Sequence, residues 1–261
     1  MANVLLVIGN GFDRKCGLPS SFSQYLESDY YKPYMNRIKK IERNLSEALR
    51  LPKYDGFAIY DKYVANYYGL SFWDLYFGLP HLYRFLDIQK WCDFEEKING
   101  FINDFVELTG DYKAIIDVDR IKIEPEFYKD THYKRKLILY LYLKSILPSG
   151  DVRELRLSQQ DLNYRLFEQL QEYEKKFGQY INAIQKANPD YISTADNLIN
   201  HMLDKDKLAY INSFNYSDLT SIIKDVWHIN GDVDMPIFGV DRGLWRVSTE
   251  HYDTKATRST S

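Results

Sequence analysis

Two stretches at opposite ends of the chain carry residues whose types and spacing could do chemistry. Near the start, "VIGNGFDRKCGLP" sets Gly9, Asn10, Gly11, Phe12 and Asp13 directly after an apolar run, with Cys16, Gly17 and Pro19 following. A strand that ends in glycines and leads into a helix aims backbone N–H groups at an anion, so this is the pattern of a phosphate cradle. Gly9 could permit a tight turn and Gly11 the approach of a pyrophosphate. The dinucleotide fingerprint, however, puts its third glycine three residues after the second, and the phosphate-loop pattern needs a lysine followed by Ser or Thr. Here Gly17 comes six residues after Gly11 and no such lysine follows. A nucleotide loop and a structural turn both fit that spacing. Asp13 reads either as a partner for loop N–H groups or as an acceptor for a ribose hydroxyl. Cys16 reads as a buried thiol, since no histidine is placed to activate it.

Near the end, "SFNYSD" puts Asn215 just past a strand, at the end where open α/β sheets bind ligands. In "HINGD", His228 and Asn230 are two apart on a strand, hence on one face, and Gly231 closes it. An Asn and a His converging on a glycine loop could orient a ribose and a water for general-base chemistry. The plain structural alternatives are that Asn215 caps a following helix and that His228 is a core histidine. A third group, "WCDFEEKI", holds Asp93, Glu95 and Glu96, and it reads either as a carboxylate site or as an acidic helix start capped by Asp93. The aromatic stretch from Tyr54 to Trp91 reads as packing or as a base-stacking platform.

The elements that must position these groups can be read from periodicity. Val4 to Ile8 is a continuous apolar run, the mark of a strand buried on both faces of a parallel sheet. The polar turn "GNGFDRKCG" follows it. Ser21 and Gln24 are spaced as a capping box for the next helix. Ile38, Ile41, Leu45, Ala48 and Leu49 share a helical face, as do Phe94, Ile98, Phe101, Ile102 and Phe105. Residues 133–147 form a further helix candidate. The longest period runs Leu162, Leu166, Leu170, Tyr173, Phe177, Tyr180 or Ile181, and Ile184, and Pro189 bars its continuation. Residues 114–124 are ambiguous. Strands return at 208–214, 226–230 and 235–240, with "NYSDLTSIIKD" long enough for a short crossover helix between the first two.

The expected architecture is therefore α/β: a Rossmann-like parallel sheet formed by both chain ends (residues 1–30 and 206–245) with a large, mostly helical insertion (31–205). Residues 246–261 are polar and aperiodic and read as a disordered tail.

Among the chain's 261 residues the formal net charge is −3, which supplies no basic field for nucleic acid or an anionic membrane. No apolar run approaches the roughly 18 residues of a membrane span. Two cysteines, Cys16 and Cys92, form no CxxC pair, which argues against a zinc or redox motif and suits a reducing cytoplasm.

Taken in order, "LLVIGNGFDRKCGLPSSFSQYL", "WCDFE", "SFNYSD", "HINGD" and "IFGVD" resemble the AbiH family of bacterial abortive-infection, phage-defence proteins. That family looks distantly like sirtuin-fold proteins, which bind NAD on a Rossmann-like sheet. The resemblance places Gly9, Gly11 and Gly17-Leu18-Pro19 on the sirtuin-type glycine loop. It places Asn215 on the asparagine that, with a histidine before a glycine, is the expected catalytic pair in NAD-cleaving members. It implies Gly9, Asn10, Gly11, Phe12, Asp13, Gly17, Pro19, Asn230 and Gly231 as nucleotide contacts, Asn215 as a catalytic residue, with His228, one pleat from the family's histidine position, as the candidate substitute base, and NAD as substrate or ligand. A second copy, or another defence or phage protein, is the implied partner. Two departures stand out. The family's His-Ile-His-Gly is His228-Ile229-Asn230-Gly231 here, so Asn230 occupies the position of the expected base. The chain also ends soon after "IFGVD", as a shortened member with an incomplete site would.

Overall fold

A computed structural model of the chain describes residues 4–48, 70–82, 98, 159–203 and 208–238. Three strands, β1 (Val4–Ile8), β2 (Leu208–Ser213) and β3 (Val226–His228), form a parallel sheet in the order β1-β2-β3. The first strand therefore pairs with one that begins some two hundred residues later, Leu6 opposite Ile211 and Ile8 opposite Ser213. Among the described residues the helices that accompany them are α1 (Asn10–Lys15), α2 (Phe22–Glu27), α3 (Lys32–Ala48), α4 (Phe72–Leu82), α5 (Gln159–Ala187) and α6 (Tyr191–Met202). The fold is mixed α/β.

Two packed regions result. Beside the sheet, Ile8 and Ile211 join Phe12, Cys16 and Leu18 of the first loop and Tyr191, Ala195 and Ile199 of α6. Away from the sheet, the helices close around an aromatic cluster of Phe22, Tyr25, Phe77, Tyr173 and Phe177, whose rings meet edge-on or tilted, and stacked for Phe77 with Tyr173, at centroid separations of 5.2 to 6.1 Å. The long period seen in the sequence supplies this core: Leu166, Leu170, Tyr173, Phe177, Tyr180 and Ile181 of α5 are all buried. The helix stops at Ala187, two residues before Pro189. Ser21 and Gln24 make the expected capping box at α2.

Several expectations are corrected. The segment after β1 is not an open turn, because α1 begins at Asn10, immediately after Gly9. Among the described residues β1 is covered on one face only, and Leu5 and Val7 are 53% and 57% exposed. No helix crosses from β2 to β3. The backbone makes a single turn in which Ile222 and Ile223 N–H donate to the Leu219 carbonyl. The Asp218 carboxylate accepts from Thr220 N–H, the kind of local side-chain bond that competes with helix. Residues 235–238 form no strand. Pro236 brings no N–H to a ladder, and Ile237 N–H instead turns back onto the Asn230 carbonyl at 2.7 Å. Ile98 is helical and buried. The rest of the 94–105 face, Asp93 to Glu96, Leu49, the segments 114–124 and 133–147, and the tail lie outside the described residues.

One buried ion pair holds the helical region. Asp74 sits at the third position of α4, where its Oδ2 accepts from Ser71 N–H (2.7 Å) and Ser71 Oγ (2.8 Å) and its Oδ1 accepts from Tyr31 (2.8 Å). Lys176 of α5 donates to the same Oδ2 at 2.8 Å and lies over the Tyr34 ring. The Asp74 side chain is fully buried and that of Lys176 is 19% exposed. Removing one partner of such a pair strands the other charge. Asp74→Ala is expected to lower the unfolding free energy by about 3 kcal/mol, measured by urea denaturation. A loss below about 1 kcal/mol, the size of a surface pair, contradicts this account.

Candidate functional site

The carboxyl ends of the three strands bring the two chemical stretches of the sequence together. Gly9 follows β1, Asn215 lies two residues past β2, and His228 ends β3. The Asn215 amide donates from Nδ2 to the Gly9 carbonyl at 3.0 Å. The His228 ring Nδ1 lies 3.0 Å from the Asn215 carbonyl. A carbonyl can only accept, so Nδ1 donates, and in the neutral ring Nε2 is then the nitrogen with the lone pair, the tautomer a general base requires. Asn230 is placed differently from the expected strand position: it lies in the turn after β3 and donates from Nδ2 to the Phe214 carbonyl at 3.2 Å. Asn215 caps no helix. It is 4% exposed and ties β2 to the glycine loop.

The glycines separate into two kinds. Gly17 has φ +82°. Its N–H donates to the Arg14 carbonyl and the Leu18 N–H to the Asp13 carbonyl, the paired bonds of a Schellman helix end. Leu18, buried beside Phe12, supplies the apolar contact of that motif. The long interval from Gly11 to Gly17 is therefore the length of α1. Gly231 (φ +77°) likewise serves the turn after β3. Gly9 and Gly11 have no such reason. Gly9 has extended backbone (φ −136°), and among the described residues nothing lies within 4 Å of where a Cβ would stand at either position. A groove of about 450 Å³ passes here, walled in part by Gly9, Asn10, Gly11, Lys15, Leu198 and Met202. Asn215 and His228 are not among its walls. Asn10 lines it while accepting a hydrogen bond on Oδ1 from Ser20 at 2.7 Å. Pro19 contributes a carbonyl to the Tyr180 hydroxyl.

Phe12 and Asp13 point inward instead. Phe12 belongs to the core beside the sheet. Asp13 is 2% exposed, and its Oδ1 accepts from Tyr191 (2.7 Å) and from Ser217 (2.8 Å), not from loop N–H groups. The two hydroxyls are themselves 2.9 Å apart. Two hydroxyl protons serve these three contacts, so the Tyr191 O–H is shared between Asp13 Oδ1 and Ser217 Oγ. Burial raises the Asp13 pKa, opposed by hydrogen bonds from Tyr191, Ser217 and Asn215 and by the charge of His228. The Cys16 thiol is pushed up to about 11 by burial and by Asp13, which leaves it a core thiol and a poor nucleophile. Tyr191 and Ser217 had not been singled out in the sequence. Only the "SFNYSD" context hinted at Ser217, and Tyr191 reads there as one more aromatic at a helix start.

Among the described residues no group of three or more His, Cys, Asp or Glu is placed to hold a metal ion, and no helix is long and apolar enough to cross a membrane. No family model, curated protein or solved structure matches the chain.

The raised Asp13 pKa has a signed consequence. The folded state holds this proton more tightly than the unfolded chain does. The resulting stability is complete below the unfolded carboxylate pKa, about 3.9, and declines as pH rises through that value toward the raised one. Asn in its place keeps an oxygen acceptor and cannot ionise. Compared with Asp13→Asn, the parent is expected to lose unfolding free energy as pH climbs from about 4 to about 7. A parent-minus-variant difference that stays flat or rises over that range, measured by urea unfolding, contradicts the raised pKa.

Proposed function

We propose that the chain is a phage-defence protein of the AbiH type that binds a nucleotide, NAD, at the carboxyl ends of β1, β2 and β3 on a Rossmann-like, sirtuin-like core. The observation that carries this reading is the open space beside Gly9 and Gly11, which neither backbone conformation nor packing among the described residues accounts for. A phosphate approaching the backbone closely would account for both. Gly9, Asn10 and Gly11 hold the phosphates, and Lys15 in the same groove supplies a cation. Phe12, Asp13 and Gly17 act behind this surface by fixing α1.

Hydrolysis follows from His228. Its Nε2 takes a proton from a water, the water oxygen bonds the ribose carbon, and the bond to nicotinamide breaks to leave nicotinamide and ADP-ribose. Asn215 positions the glycine loop against His228 through its bond to the Gly9 carbonyl.

A second reading, nucleotide sensing without cleavage, is favoured by Asn230. It stands where the resemblance expects a histidine, it cannot act as a base, and its amide is committed to the Phe214 carbonyl. The two readings diverge in one experiment. Purified protein given NAD releases free nicotinamide under the first, and His228→Ala abolishes the release. Under the second, NAD raises the melting temperature with no release. Neither release nor a thermal shift, with or without a phage trigger, removes both readings.

Gly11 sits inside α1 with space around it, so Gly11→Ala is expected to stabilise the free protein by about 0.5 kcal/mol while weakening the NAD-induced thermal shift. An undiminished shift in that variant sinks the role given to the glycines.

A further inference from the structure

Side chains alternate along a strand, so each face of the sheet can be read from the register. On one face Leu6, Ile8, Ile211 and Val226 pack with α1 and α6. The other face presents Leu5 and Val7 of β1, Tyr210 and the adjoining Phe214 of β2, and Trp227 and the adjoining Ile229 of β3. Each of these six is between 46% and 60% exposed. They form contiguous rows: Leu5 opposite Tyr210, and Val7 opposite Asn212, which is opposite Trp227. The Tyr210 and Trp227 rings are 6.1 Å apart. None of these seven positions is charged. Parallel sheets are covered on both faces, and an apolar patch of this kind marks an interaction surface.

We propose that this face packs against the same face of a second copy of the chain, forming a two-fold, sheet-on-sheet dimer. Three properties select a copy as the occupant. Half-exposed side chains of this size offer together roughly 600 Å², close to the about 800 Å² per partner of a standard interface once a rim is added. The seven positions lack charge, and Asp225 stands exposed at the rim where β3 begins, so the centre of the face is complementary to its own image, and two-fold symmetry closes the assembly at two chains. The single polar side chain, Asn212, lies on the middle strand between Val7 and Trp227. A covered amide needs a partner, and a second Asn212 brought up by the two-fold axis offers both a donor and an acceptor. Sheets packed this way lie about 10 Å apart. The interface ends beside the candidate site, since Phe214 immediately precedes Asn215.

The test uses the full chain with Val7→Cys in a Cys92→Ser background, labelled by a maleimide from dilute to concentrated solution. Cys16 is 4% exposed and does not compete. The expected result is labelling that slows about tenfold where nine-tenths of the chains are paired, in step with a doubling of mass by sedimentation. Trp227→Glu, at a position 60% exposed and so tolerant of charge in the single chain, is expected to keep one-chain mass and rapid labelling throughout. Val7→Lys gives a second disruption of the same face. Slow labelling at every dilution with one-chain mass means that the chain covers its own sheet and overturns the proposal. Rapid labelling at every concentration means that the face stays open and overturns it equally.

Discussion

The buried carboxyl of Asp13 is the constraint around which the sheet end is organised. It lies on the first helix, takes one hydroxyl from α6 and another from the segment after β2, and has almost no contact with solvent. A carboxyl in such a place is costly unless its oxygens are satisfied, so α1, Tyr191 and Ser217 must arrive together or not at all. Asn215, two residues before Ser217, is carried into place by the same requirement and reaches the Gly9 carbonyl. The open glycines at the surface and the closed network beneath them are two sides of one short helix.

A second polar cluster plays the corresponding part among the helices. Asp74 gathers Ser71, Tyr31 and Lys176 from three separate stretches of chain. Around it the packing is aromatic, and ring pairs such as Tyr25 with Phe177 fix orientation through their edges and faces. Among the described residues the Tyr25 hydroxyl, buried in that cluster, has no hydrogen-bond partner. The two polar clusters share no residue, so the helical region and the sheet end are each specified by their own contacts.

What could be read in advance was what local spacing encodes. The capping box of Ser21 and Gln24, the apolar stripe from Leu166 to Ile181 and the pairing of the two chain ends in a parallel sheet all rest on period or on adjacent residue types. What escaped was set by distant partners. Asp13 looked like a loop ligand because Tyr191 and Ser217 are invisible from its neighbours. Gly17 looked like a misplaced dinucleotide glycine because a six-residue helix leaves too short an apolar pattern to recognise, although its Schellman bonds explain the spacing fully. The 235–238 segment looked like a strand from its apolar residues, and the return of Ile237 onto Asn230 was not encoded in either stretch alone.

The Schellman end at Gly17 also makes α1 a ruler. Between Asn10 and Lys15 every residue adds about 1.5 Å of rise and 100° of rotation, and both flanks of that helix are anchored, one in the sheet and the other in the core. Most exposed positions within it can change identity without disturbing the frame. Its length is another matter. One residue more or fewer before Asp13 swings the carboxyl a quarter turn away from Tyr191, and one residue more or fewer after it detaches Leu18 from its apolar seat. This segment is a loop in its sequence and a fixed-length strut in its mechanics.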